Sequence, residues 1–356
     1  MKIDNIQNYK FLFAGGGTGG HVLPAISIAD EIKNMLPNSE INFVGTKNKI
    51  ESKMVPNYGY RFYTIWISGF QRKFNISNLM FPVKLIVSIF QSFLLLKNLK
   101  PNVVIGTGGY VCGPIIFVSN LIGIPTVLHE SNSFPGITTR ILGKFSNLLL
   151  LGFENTKKYF TQNLNLEVVG IPTREVGTIS KITASKFFNL DEKKKTILVF
   201  GGSLGAKSIN SVIEKNIIKI EKLGFQLIWQ TGNEEFNNLQ TNKIRIYPFI
   251  DNMNMAYSVA DLVVCRAGAM SVAEVIAANK KVIFVPYPFA TDNHQFVNAT
   301  EGLKKISGTI IVDKDLNEKL VDEIKKLSNL KTKKTISIKK NSVNKVIAQK
   351  IIKFAK

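Results

Sequence analysis

Two short apolar runs, one near the start of the chain and one near its middle, each break off into a cluster of glycines and resume as a helical pattern. The first is Lys10-Phe-Leu-Phe-Ala14, with glycines at 15, 16, 17, 19 and 20 and a helical stretch over 22–35 that sets Ile26, Ala29, Ile32 and Leu36 on one face. The second is Thr196-Ile-Leu-Val-Phe200, then Gly201-Gly-Ser-Leu-Gly205, then a helical pattern over 206–223. Strand, glycine-rich turn and helix, in that order, open a doubly wound α/β domain. A chain that does this twice is expected to hold two such domains.

Further apolar runs alternate with helical patterns in both halves. Strands are expected at 41–45, 103–106, 125–129, 147–151 and 167–169, and again near 226–230, 244–247, 261–265, 282–285 and 309–312. Runs apolar on both faces belong in parallel sheets covered by helices. The expected division is 1–171 for the first domain and 172–341 for the second, with Gly170-Ile-Pro-Thr-Arg174 as the link. A last helix over 342–356 carries Val343, Val346, Ile347, Ile351 and Phe354 at helical spacing and is expected to pack back on the first domain. Two parallel sheets in tandem are expected to face each other across a cleft, with ligands at their carboxyl ends.

The chain has 356 residues and 45% hydrophobic content, which excludes disordered tails and disulfide-stapled miniproteins. Its two cysteines, Cys112 and Cys265, lie in different halves and support no disulfide framework. The formal charge is +21, with only six arginines among 46 basic residues. Such a lysine surplus suits anionic lipid as well as nucleic acid. No signal peptide is expected, because Met1–Lys10 carries no apolar core. The stretch Leu79–Leu96 is interrupted by Pro82, Lys84, Ser88, Gln91 and Ser92, so it is not expected to span a bilayer.

Gly15, Gly17 and Gly20 satisfy G-x-G-x-x-G, which points to backbone N–H groups holding a phosphate at a helix N-terminus. No Lys-Ser/Thr follows Gly20, so this is not a Walker loop. The second strand ends in Gly45-Thr46-Lys47 without the acidic residue that holds a dinucleotide ribose, which counts against a nicotinamide. Gly106-Thr-Gly-Gly-Tyr110 is a second glycine turn in the first half. The three histidines, His21, His129 and His294, lie far apart in sequence, and the chemistry is expected to need no cofactor and no metal. Ser271 and Glu274 fit either a capping box or a helix start whose carboxylate accepts from ribose hydroxyls.

Taken together these motifs resemble the MurG family, the peptidoglycan N-acetylglucosaminyltransferases of the two-domain GT-B class. The markers are Gly16-Gly-Thr-Gly-Gly-His21, Gly108-Gly-Tyr-Val111 with Gly113-Pro114, His129-Glu130 with Asn132, and Gly170-Ile-Pro-Thr-Arg174. The second half adds Gly201-Gly-Ser-Leu-Gly-Ala206, Phe249-Ile250-Asp251-Asn-Met253, Arg266-Ala-Gly268 through Glu274, and His294-Gln295 with Asn298-Ala299.

The resemblance implies transfer of N-acetylglucosamine, with inversion, from UDP to the muramoyl 4-hydroxyl of undecaprenyl-diphospho-muramoyl-pentapeptide (lipid I). It implies donor contacts at Thr18, Gly19, Gly20, Asn132, Arg174, Ser203, Ile250, Ala269, Met270, Ser271, Val272, Ala273, Glu274 and Gln295. The acceptor diphosphate falls to Gly16, Gly17, Gly108, Gly109 and Tyr110, and the general base to His21. Membrane contact is expected at Leu79, Phe81 and Lys84, within a segment 74–96 most of whose apolar residues are expected to pack in the core. The implied location is the cytoplasmic face of the plasma membrane, peripherally, with no nucleic acid as partner. Rival readings are another UDP-sugar enzyme, such as a lipid glycosyltransferase or a UDP-N-acetylglucosamine 2-epimerase, and a basic scaffold without catalysis.

Overall fold

The structure, a computed structural model, describes residues 8–69, 79–161, 163–202, 204–234, 236–330 and 342–355. It divides into two compact units. Unit 1 comprises 1–172 and 341–356, and unit 2 comprises 173–340.

Unit 1 runs β1 (Lys10–Ala14), α1 (Gly19–Met35), β2 (Glu40–Gly45), α2 (Ile50–Asn57), β3 (Arg61–Thr64), α3 (Phe81–Leu99), β4 (Val103–Gly106), α4 (Cys112–Leu121), β5 (Thr126–Glu130), α5 (Ile137–Leu142), β6 (Leu148–Leu151) and β7 (Leu166–Val168). Among the described residues its sheet has the order β3-β2-β1-β4-β5-β6-β7, with every pairing parallel. Unit 2 runs α6 (Lys181–Phe187), β8 (Lys195–Phe200), α7 (Lys207–Lys222), β9 (Phe225–Gln230), β10 (Ile244–Tyr247), α8 (Met253–Val259), β11 (Leu262–Cys265), α9 (Ala269–Ala277), β12 (Lys281–Phe284), α10 (His294–Leu303), β13 (Gly308–Ile310) and α11 (Leu316–Asn329). Its parallel sheet is ordered β10-β9-β8-β11-β12-β13.

Both orders follow the Rossmann scheme, in which the direction of strand addition reverses once. The reversal lies between β1 and β4 in unit 1 and between β8 and β11 in unit 2. The central strands are buried throughout, as at β4, β6, β9 and β11, because helices cover both faces. In unit 1, Phe11, Phe13, Ile26 and Ile105 pack on one side of the sheet, and Leu12, Val104, Leu128 and Leu149 on the other. α12 (Ser342–Ala355) returns to unit 1, where Ile347, Ile351 and Ile352 join the core beside α1.

Two elements differ from the sequence reading. β3 was not expected: it is a four-residue edge strand in which Phe62 and Tyr63 are half-buried between exposed Arg61 and Thr64. α1 begins at Gly19 rather than 22, which places two glycines of the loop inside its first turn.

Candidate active site

The reversal of strand order makes neighbours of two glycine turns that are distant in sequence. β1 pairs β4 with Ala14 opposite Gly106, so Gly15–Gly20 and Gly106–Tyr110 leave the sheet side by side. The turns touch. Gly109 has φ +86°, and a Cβ there would lie 2.4 Å from the Gly16 carbonyl oxygen. Gly108 has φ +108°, and its Cβ would meet His21 Nδ1 at 2.5 Å. Only glycine tolerates both the left-handed backbone and the approach. Cys112 joins the turns from beneath, its Sγ donating to the Ala14 carbonyl at 2.9 Å and accepting from Gly108 N. Burial pushes its thiol up to about 12, so it is a structural donor rather than a nucleophile.

His21, in the first turn of α1, faces this junction. Its Nδ1 lies 3.1 Å from the Thr107 carbonyl oxygen, while Thr107 Oγ1 donates to the His21 carbonyl at 2.8 Å. A carbonyl can only accept, so Nδ1 carries the proton and Nε2 keeps its lone pair. Desolvation holds the ring below the ordinary histidine range, against the opposing charges of Glu130 and Glu51. Neutral imidazole with a fixed tautomer is the state a general base requires.

Two buried carboxylates, Glu51, unmarked in sequence, and Glu130 of the His129-Glu130 motif, shape the loops. Glu51 accepts from Gly17 N at 3.0 Å, Thr46 N at 3.2 Å and Thr46 Oγ1 at 2.8 Å. Gly17 N–H is therefore committed to protein, and the acceptor-diphosphate role expected of it does not rest on that group. Glu130 accepts from Asn132 N at 3.0 Å and Gly136 N at 3.0 Å, which folds the turn carrying Asn132. His129 is buried, with Nε2 on the Gly170 carbonyl at 3.0 Å and Nδ1 facing Ser131 Oγ at 3.3 Å. It ties β5 to the end of unit 1.

No side chain caps α1, α4, α7 or α9, the four helices that follow the turns at the two reversals. Thr18 stands at the N-cap of α1 without capping it. Such N-termini keep their partial positive charge for an anion.

In unit 2, α9 starts from Gly268, so Ala269 and Met270 precede Ser271, and Val272 and Ala273 precede Glu274, within the helix. Ser271 is not the N-cap, and the capping-box reading is wrong. Glu274 instead pairs with Arg174, Nε to Oε1 at 2.8 Å and Nη2 to Oε2 at 3.4 Å. A carboxylate offers about four lone-pair sites, so this pair leaves room for hydroxyl donors. Ile250 N donates to Gln230 Oε1 at 2.8 Å, and Gln230 Nε2 donates to the Gly202 carbonyl at 2.8 Å. Gln230, unmarked in sequence, thus fastens Ile250 to the glycine turn. Gln295 Oε1 accepts from Tyr287 N at 2.9 Å. Ser203 lies outside the described residues.

Arg266, prominent in the motif, is structural: it holds Asp313 at 2.6 Å and Ser208 Oγ at 2.7 Å. Asp313 pairs with Arg266, and Asp315 pairs with Lys319.

Glycosyltransferase family 28 models match both units, the N-terminal domain over residues 11–149 and the C-terminal domain over 196–353. A UDP-N-acetylglucosamine--N-acetylmuramyl-(pentapeptide) pyrophosphoryl-undecaprenol N-acetylglucosamine transferase of Flavobacterium psychrophilum is 40% identical, over 92% of this chain and 91% of that protein. The chain belongs to the MurG family of glycosyltransferases. A MurG-family relative from Thermoanaerobacter sp. is 37% identical over 98% of this chain and 99% of its own. The crystal structure of Acinetobacter baumannii MurG has a TM-score of 0.71 and 26% identity, covering 97% of this chain and 99% of that one. A Neisseria meningitidis UDP-GlcNAc 2-epimerase bound to UDP-GlcNAc has a TM-score of 0.63 at 12% identity over 97% of this chain, a likeness of fold alone. MurG-family membership makes this chain a hexosyltransferase of GT-B fold.

α3 overturns one expectation about unit 1. The 74–96 segment was expected to bury most of its apolar residues. Within α3 the buried residues are Ser88, Ser92 and Leu96, while Ile86, Phe90, Phe93 and Leu94 are exposed. The serines close on their own helix, Ser92 Oγ to the Ser88 carbonyl at 2.6 Å and Ser88 Oγ to the Leu85 carbonyl at 2.8 Å, which lets α3 pack tightly on α4. Leu79 is 77% exposed, whereas Phe81 is half-buried. Lys84 donates to Ser68 Oγ at 3.1 Å and lies over the Trp66 ring. Residues 70–78, including Arg72, Lys73 and Phe74, lie outside the described residues.

Proposed function

We propose that this chain transfers N-acetylglucosamine from UDP-N-acetylglucosamine to the muramoyl 4-hydroxyl of lipid I, inverting the anomeric centre and giving lipid II. The observation that carries the reading is the junction of two glycine turns on a neutral His21 whose Nε2 is left as acceptor. The sugar hydroxyl oxygen attacks the anomeric carbon, its proton passes to His21 Nε2, and the bond to the diphosphate oxygen breaks with its electrons leaving on UDP. General-base assistance of this kind contributes roughly 10²–10⁴-fold.

Gly16, Gly108, Gly109 and Tyr110, with the uncapped start of α4, are assigned to the acceptor diphosphate. Thr18, Gly19, Gly20 and Asn132 are assigned to the sugar end of the donor. From unit 2, Arg174, Ser203 and the start of α9 (Ala269 to Ala273) are assigned to the UDP diphosphate, Glu274 to the ribose and Gln295 to the sugar hydroxyls. Ile250 would meet uracil through its carbonyl, since its N–H is held by Gln230.

The acceptor is a lipid, and unit 1 carries an apolar surface to suit it. α3 is 19 residues long with a mean hydropathy of 1.3, enough by length and composition to cross a membrane. Its serine edge is packed on α4, which favours lying along a bilayer with Leu79 and its neighbours immersed and Lys84 near anionic headgroups. This is the basis for a peripheral position on the cytoplasmic face of the plasma membrane, where cell-wall synthesis supports division and shape.

The test is incubation with labelled UDP-N-acetylglucosamine and a lipid I analogue. A labelled disaccharide lipid is the expected product. Epimerised UDP-sugar formed without acceptor, or no transfer at all, would refute the reading.

A further inference from the structure

Between α3, α4 and α5 lies an apolar cavity of about 550 Å³, within the size range of small-molecule sites. Phe81, Leu85, Tyr110, Pro114, Phe117 and Ile141 are among its walls. Its inner end is Tyr110, a residue of the second glycine turn. The Tyr110 ring lies against both Gly17 and Gly69, and a Cβ on either glycine would come within 3.1 Å of it. The other face of this wall is therefore the loop assigned to the acceptor diphosphate. The outer end is open, with Phe117 46% and Ile141 56% exposed, and Arg140 on α5 and Lys144 just beyond its end lie beside it. An apolar channel that begins at a phosphate turn and ends at a cationic rim fits an amphiphile with hydrocarbon attached directly to phosphate. The relatives' names specify such an acceptor, a pyrophosphoryl-undecaprenol.

The geometry points to a lipid-chain subsite: the isoprenoid units nearest the acceptor diphosphate lie in the α3–α4–α5 groove, running from Tyr110 towards Phe117 and Ile141. This rests on the acceptor reading given above and extends it. The enzyme then grips its substrate's hydrocarbon directly, in addition to resting on the bilayer that holds it. Burial of a few branched C5 units against these walls favours binding in proportion to the apolar area covered. Each double bond of a polyprenol is one fixed torsion that need not be ordered when the chain lies in a groove.

The experiment separates chain recognition from membrane docking by omitting membranes. Full-length enzyme is assayed in solution with two soluble acceptors that share the muramoyl-diphosphate head, one esterified with a two-unit prenyl chain and one with methyl. Phe117→Ser is expected to raise KM for the prenyl acceptor roughly ten-fold, the share of a phenylalanine's burial that a half-covered ring contributes. KM for the methyl acceptor should stay within about two-fold, which also reports that the variant is folded. Ile141→Trp, which narrows the channel, should again penalise only the prenyl acceptor. Equal effects on both acceptors, or none on either, would overturn the subsite. Sedimentation that shows a wild-type dimer lost in Phe117→Ser, with KM unchanged, would assign the groove to a second copy of the chain and overturn it too. If the wild type turns over neither acceptor, the acceptor reading itself fails. If it turns over both and the variants do not discriminate, only the subsite fails.

Discussion

Replacing Glu274 by alanine has two consequences whose sizes can be worked out separately. The carboxylate is 4% exposed and holds Arg174 through Oε1 at 2.8 Å, while the Arg174 side chain is 27% exposed. Its removal leaves a guanidinium that can reach some water, so the cost falls near ~1–3 kcal/mol rather than the larger penalty of a fully buried orphan charge. For a unit of this size each kcal/mol moves Tm by ~2–4 °C, which gives a loss of about 2–12 °C. The second consequence concerns the donor. A charge-assisted hydrogen bond to a ribose hydroxyl contributes ~1.5–3 kcal/mol, or roughly ten- to hundred-fold in UDP affinity. Calorimetric titration of UDP well below the variant's Tm reads the second effect free of the first. Glu274→Gln keeps an acceptor oxygen and should fall between wild type and alanine in both measurements. A Glu274→Ala protein with lowered Tm and unchanged UDP affinity would reduce Glu274 to a brace for Arg174 and refute the ribose assignment.

His21→Ala should lower kcat by roughly 10²–10⁴-fold while UDP affinity stays within about two-fold, and near-normal turnover at saturating substrates would exclude it as the base. His21 and His129 are both held below the ordinary value near 6.5 by burial, so the unfolded chain binds more protons than the folded one just below that pH. Unit 1 should therefore keep this stability above about pH 6.5 and lose it as the pH falls through that value; a melting temperature flat from pH 7.5 to 5.5 would contradict it. Gly109→Ala, at φ +86° with its new carbon 2.4 Å from the Gly16 carbonyl oxygen, should destabilise unit 1 by more than the ~1–2 kcal/mol of the backbone strain alone, as read by urea unfolding. The triple change Leu79→Ser, Phe81→Ser and Lys84→Glu should weaken binding to anionic vesicles and spare UDP affinity, and vesicle binding that survives it in low salt would rule out this docking surface.

What the sequence disclosed is what periodicity and punctuation encode. Buried parallel strands such as Leu148–Leu151 are continuous apolar runs, and the glycine turns after β1, β4 and β8 stand out because few backbones need so many glycines. Edge strand β3 was overlooked: its Phe62 and Tyr63 pack only partly against the core, between exposed Arg61 and Thr64. Long-range partners were invisible as well. Glu51 read as an ordinary charge until the fold set it under Gly17, the partners of Glu130 were hidden although its place in the His129-Glu130 motif was not, and Glu274 pairs with Arg174, far away in sequence. α3 misled for a different reason. An apolar helix is normally read as facing inward, and here two serines give the closer packing edge, leaving the apolar side outward.

α12 follows the whole of unit 2 in chain order, yet its Ile347, Ile351 and Ile352 complete the core of unit 1 against α1. Domains emerging from a ribosome fold as units, the earlier before the later. Here the order is inverted: unit 2 has all its strands and helices while unit 1 still lacks a wall. A nascent chain halted between the two would carry a finished unit 2 and an open-sided unit 1 with α1 uncovered, which makes the stretch before α12 the interval in which this protein most needs a chaperone.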